Sequence, residues 1–158
     1  MFNPKYEILL TKNSFLRDEF ICLGSQVICI IDYLKDLLPS HLWYGADVVA
    51  TGEEVMNLDL NSTQLKLIGN DADFVQLCSS VDQFLSGVFV CANHDLPSCN
   101  VVGEELETED PPFRSINIEQ IIAEIRAFDT SYFIIYLKDK NLLNKLIEKF
   151  HPSEVTEA

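Results

Sequence analysis

The chain has 158 residues, 47% of them hydrophobic and 23% charged, and a formal net charge of −14. That length carries one domain with a core of its own, and this composition excludes a disordered chain. With 11 basic residues scattered among 25 acidic ones, a nucleic-acid groove is also excluded, because it needs a basic patch.

The longest apolar runs, residues 27–31 and 133–137, fall well short of the roughly 20 residues of a membrane-spanning helix. The N-terminus lacks the charged, apolar and small-residue order of an export signal. The expectation is a cytoplasmic protein with no membrane contact. Five cysteines, an odd number at irregular spacing, read as reduced thiols rather than a disulfide framework.

Residues 6–10 read as a strand. Asn13 or Ser14 caps a helical turn around residues 15–23, and Gly24 separates it from a clear helix at 25–38. There Val27, Ile30, Ile31, Leu34, Leu37 and Leu38 share one face and Pro39 stops the run. Residues 42–50 read as a buried strand. Residues 55–60 and 63–68 make a hairpin through Asn61-Ser62. Asn70 or Asp71 then caps a second helix burying Phe74, Leu77, Cys78, Val81 and Phe84, which Gly87 ends.

Residues 88–92 are a β-prone strand, and residues 93–112 are mostly loop, with a short strand at Val101-Val102. Asn117 and Gln120 form a capping box for a helix at 117–127 that buries Ile118, Ile121, Ile122 and Ile125. Residues 132–137 read as a central strand. Asp139 or Asn141 opens a last helix with Leu142, Leu143, Leu146, Ile147 and Phe150 inward. Residues 1–150 thus make a single domain, and the tail at 151–158 is expected to fray. Interleaved strands and helices predict an α/β or α+β fold, with a mixed sheet of about five to six strands flanked by three to four helices. No Gly-rich strand-to-helix turn marks a nucleotide site.

Chemistry-bearing residues are sparse. Cys91, His94, Asp95 and Cys99 lie within nine residues and include zinc-ligand types, but the pattern lacks a second half and His41 is distant in sequence. Ser98 or Cys99 beside His94 has no strand-turn-helix nucleophile motif around it. The expectation is therefore no metal, no cofactor and no catalytic residue. Asp47, the Glu53-Glu54 pair and Asp71 with Asp73 are the carboxylates placed for acid–base work. Strict alternation along residues 42–50 puts Trp43 and Asp47 on one face: an exposed Trp there would anchor a partner, and the other reading is a core Trp with an edge Asp.

The strongest local feature is Glu104, Glu105, Glu107, Glu109 and Asp110, five carboxylates in seven residues followed by two prolines. Mutual repulsion predicts that this run lies in water. The charge is uneven along the chain. Residues 41–113 hold 13 of the 25 carboxylates and one base, Lys66.

Such a field attracts a basic partner. The expected function is an acidic interaction module that occludes a basic protein, a toxin or a defence nuclease in type, through Trp43, Asp47, Glu53, Glu54, Asp59 and the 104–110 run. This resembles toxin-immunity proteins and phage-encoded inhibitors in kind, without a shared motif. The alternative is a small enzyme or ligand-binding domain with its site near Asp47 and His94. Plain solubility accounts for acidic surfaces as well.

Overall fold

A computed structural model describes residues 4–15, 18–52, 59–96 and 101–158. Glu53, Glu54, most of the expected strand at 55–60, Ser98 and Cys99 lie outside the described residues. The described strands are β1 (Tyr6–Leu10), β2 (His41–Thr51), β3 (Lys66–Gly69), β4 (Gln83–Asn93), β5 (Ile121–Phe128), β6 (Tyr132–Leu137) and β7 (Glu154–Glu157). They form one sheet in the order β3-β2-β4-β5-β6-β1-β7, and each described pairing is antiparallel. With α1 (Gly24–Leu34), α2 (Asp71–Ser79) and α3 (Lys140–Phe150), the fold is α+β.

The sheet is antiparallel rather than mixed because of β5. Residues 121–127 were expected within a helix, which would have made a crossover between β4 and β6. They form a strand lying between those two. Ile118, Ile121, Ile122 and Ile125 fit helical spacing, but Ala123, Ile125 and Ala127 alternate with Glu124 and Arg126. Both faces of this strand are buried, so even its charged positions are inside and neither period stands out.

Other boundaries move for similar reasons. α1 ends at Leu34, and residues 35–38 close it as turns. A short 3-10 turn forms at Lys12–Ser14, and the described residues 18–23 are not helical. α2 stops at Ser79, so Phe84 and Gly87 belong to β4, not to the helix or its cap. β3 pairs with β2, and Val101-Val102 forms no strand. Past α3, His151 takes a left-handed conformation and the tail adds to β1 as β7 instead of fraying.

The two faces of the sheet are covered differently. All three helices lie on one face. Ile30, Ile31 and Leu34 of α1, Phe74 of α2 and Leu146 of α3 pack there with Ile8, Phe89, Ile125 and Ile135. Gly24 lets the start of α1 meet the end of α2, since a Cβ there would stand 2.3 Å from the Val81 carbonyl oxygen. The second face carries Tyr44, Val88, Val90 and Tyr136. It is roofed by the irregular segment 101–118 through Val101, Leu106 and Ile116.

Trp43 lies in the helix-covered core with no exposed surface, not on an outer face. Its indole N–H donates to Asp71 Oδ1 at 2.8 Å, and Asp71 also meets His41 Nε2 at 2.8 Å. The opposite ring nitrogen of His41 is 2.6 Å from the Pro39 carbonyl. The Trp43 ring continues through Phe74, Phe89 and Phe84 with centroid spacings of 4.9, 4.9 and 5.2 Å. One carboxylate thus joins the start of α2 to β2.

Asp71→Ala leaves a buried indole N–H without a partner, and we expect it to cost about 1–3 kcal/mol. Denaturant unfolding followed by the emission of Trp43, the chain's single tryptophan, measures this directly. An unchanged midpoint would show that Asp71 holds nothing.

Candidate functional site: an acidic cleft at the Asp47 bulge

Asp47 sits where β2 departs from regular pairing. Ala46 opposes Val88, but the next matched pair is Val49 with Ser86. Asp47 has φ of +54°, in the left-handed region that Asp tolerates better than most residues. This bulge breaks the alternation along β2. Asp47 therefore does not share a face with Trp43. Val48 takes the helix-side position, and Asp47 turns to the face roofed by residues 101–118.

The bulge frees backbone groups, and the neighbouring segments take them. Asp47 N–H donates to the Ser62 carbonyl at 2.8 Å and Val48 N–H to the Leu60 carbonyl at 2.9 Å. Gly87 N–H donates to Thr108 Oγ1 at 3.1 Å. Asp47 Oδ2 accepts both the backbone N–H and the hydroxyl of Thr108, each at 2.8 Å.

Thr108 belongs to the acidic run, which is not the free solvated loop that repulsion alone predicts. Leu106, Thr108 and Asp110 are buried, while Glu104, Glu105, Glu107 and Glu109 are exposed. The inward side chains explain the alternation. Leu106 joins the second core, and Thr108 is held by Asp47. Asp110 accepts from Arg114 at 2.8 Å and from the Glu107 N–H at 2.9 Å. Backbone bonds from Leu65 N–H to Glu104 and from Leu106 N–H to Thr63 fix the loop's other edge. Four glutamates are thereby presented from a pinned backbone.

Beneath them opens a cleft of about 360 Å³. Leu85 and Phe128 give it apolar lining, Asp47, Glu107, Glu109 and Asp129 give it carboxylates, and no lysine or arginine is among its described lining residues. Asp129 and Thr130, in the turn joining β5 to β6, have φ of +49° and +54°. This is the conformation that a tight β-hairpin turn requires, and the turn is closed by Ser131 N–H donating to the Phe128 carbonyl at 2.9 Å.

A buried charge pair supports the roof. Glu124 and Arg126 lie side by side on the second face of β5, with 3.4 Å between Glu124 Oε2 and an Arg126 terminal nitrogen. Arg126 donates to the Asp110 carbonyl at 2.9 Å and stands over the Tyr136 ring at 4.9 Å. Burial pushes the Glu124 carboxyl above its usual range, outweighing the pull of Arg126. Among the described residues Glu124 Oε1 and Arg126 Nε complete no hydrogen bond. Sequence reasoning missed Glu124, Arg126, Thr108, Leu85, Phe128 and Asp129. The Asp129-Thr130 turn becomes visible only once residues 121–128 are read as a strand.

The remaining expected residues lie elsewhere. Asp59 is exposed and pairs with Lys66 at 3.1 Å, on the β3 side of the sheet. His94 follows the end of β4 beside the start of β2, where its N–H donates to Ser40. Asp47 lies about six residues along β2 from that end, roughly 20 Å away. The two do not form one site.

Cys91 faces the helix-side core, and burial pushes its thiol up, as it does those of Cys22 and Cys78. Among the described residues no three metal-ligand side chains gather, the four cysteines are unpaired, and no helix is long and apolar enough to cross a membrane.

No family model, no curated protein and no solved structure matches this chain.

Two outcomes follow from the site's construction. Asp47→Gly keeps the left-handed backbone and removes only the carboxylate. We expect it to cost about 1–3 kcal/mol and to speed amide exchange at Thr108 and its neighbours, leaving the central strands protected. Unchanged exchange at Thr108 would mean that Asp47 does not hold the loop.

Glu124 has its carboxyl raised in the folded state, so the folded chain binds more protons than the unfolded one between the ordinary and raised values. Stability from this group is present below the ordinary carboxylate range and is lost as pH rises through the raised value. The stability of Glu124→Gln relative to wild type should therefore improve as pH rises above the ordinary carboxylate range. A difference that stays constant with pH counts against this account.

Proposed function

We propose that the chain is an acidic interaction module that docks a basic protein segment over the Asp47 cleft and the outward glutamates of the 104–109 loop. The observation that carries this reading is the combination of four pinned, exposed glutamates with a cleft lined by carboxylates and by Leu85 and Phe128. A lysine or arginine side chain has the matching form, an aliphatic stem with a cationic head. The apolar lining takes the stem, and Asp47, Asp129, Glu107 and Glu109 receive the head.

A ready-made loop raises affinity because its ordering cost is met on folding rather than on binding. The unbalanced negative field speeds encounter. Occlusion of the partner's basic surface is the mode of action that follows. A partner whose working surface is itself cationic, such as a nuclease, is neutralised by being covered.

Binding of an octa-arginine peptide tests this over a range of salt concentrations. Replacing Glu104, Glu105, Glu107 and Glu109 together by Gln should leave the fold intact, weaken binding by roughly tenfold or more and flatten its salt dependence. A control removes four exposed acids elsewhere, Asp32, Asp36, Glu148 and Glu154, and so reaches the same net charge. It should bind nearly as wild type does. Equal loss in both variants would reduce the effect to net charge and remove the site.

A further inference from the structure

We propose that a second cleft, between the end of α1 and the start of α3, binds a small apolar carboxylic acid such as an aliphatic monocarboxylate. The cleft has a volume of about 380 Å³. Leu37 and Leu38 wall it from the turn after α1, Ile122 from β5 and Leu142 from α3. Leu37, Leu38 and Ile122 pack on the main core yet remain half-buried, so apolar surface is left open to the cleft. A concave, mostly apolar hollow of this size with a few polar groups at its border is the usual form of a small-ligand site.

The bordering charges select the ligand. Lys138 and Lys145 both line the cleft. Neither has a carboxylate within ion-pair distance among the described residues. Asp139 also lines the cleft, and its Oδ1 accepts the Leu142 N–H as the cap of α3. Lys138 Nζ donates to the carbonyls of Ile118 and Glu119 at 2.9 and 3.4 Å, neutral acceptors that form no ion pair. Burial pushes the Lys138 ammonium below its ordinary value, nearby Lys5 adds to the effect and the Glu119 carboxylate opposes it. A carboxylate brought to this border favours the charged form.

Lys145 is exposed, and its backbone is held to α1 by a hydrogen bond from the Tyr33 hydroxyl to its carbonyl at 3.1 Å. A fixed main chain with a long free side chain suits a cation that swings onto a bound anion.

A chain of net charge −14 repels anions over most of its surface. Two lysines without an ion pair among the described residues, beside open leucines, are therefore a local exception with a defined chemistry: an anionic head and an apolar body. The site is independent of the Asp47 cleft. Ile122 lies near the start of β5 and Phe128 at its end, six residues or roughly 20 Å apart.

Titration of the 15N-labelled chain with octanoate, octanol and octylammonium tests the proposal. Octanoate should shift the amides of Leu37, Leu38, Ile122 and residues 138–145, and bind more tightly than octanol. Lys145→Met should weaken octanoate by about tenfold and leave octanol unchanged. Lys138→Met should act in the same direction. Ile122→Trp, which fills the hollow, should abolish both ligands while the remaining amide spectrum stays native. Octylammonium binding as well as octanoate, or octanoate shifts confined to other surfaces, would overturn it.

Discussion

The Asp47 bulge is the constraint on which the second face of this protein depends. A regular β2 would direct successive N–H groups to opposite neighbours, one toward β4 and the next away from it. The left-handed turn at Asp47 directs two successive N–H groups to residues 60–62 and releases Gly87 N–H to Thr108. The same residue supplies the carboxylate that receives Thr108 twice. A single backbone irregularity therefore joins β2, the 60–62 segment, β4 and the acidic loop. Bulges commonly re-aim a side chain beside a site, and here the re-aimed group is the anchor itself.

Covering the second face with a loop instead of helices has an electrostatic consequence. An irregular roof offers backbone carbonyls inward, and these require donors. Arg126 supplies one to the Asp110 carbonyl and needs Glu124 beside it for balance. The balance is incomplete, because burial holds Glu124 above its usual range and one of its oxygens has no partner among the described residues. Such a pair contributes little net stability compared with apolar residues, and it gives the roof one geometry. Leu106 and Ile116 supply the burial. Arg126, Asp47 and Arg114 supply the register.

Sequence patterns were legible where burial is one-sided and opaque where it is not. α3 has an apolar stripe, a charged opposite face and Asp139 as its cap, and its inward residues were all identifiable. β6, rich in β-branched and aromatic residues, was equally clear. β5 was unreadable because it is buried on both faces and carries its charges inside. β7 gave no signal, since all four of its residues are exposed and it forms only by main-chain pairing with β1. For the site, composition identified the acidic run and Asp47. It did not reveal that alternate members of the run point inward, because Thr108 and Asp110 are buried by particular partners rather than by hydrophobicity.

Geometry changes what the negative charge means. Acidic residues placed for solubility need only face water, and their loop is free to move. Here Glu104, Glu105, Glu107 and Glu109 stand on a backbone held by Leu106, Thr108 and Asp110. Freely moving carboxylates lose conformational entropy when a cation binds, whereas a held row has met that cost already. Asp129 adds a carboxylate to the same cleft from the β5–β6 turn. Its left-handed backbone is what a tight hairpin turn requires, and Asp is among the residues that accept it.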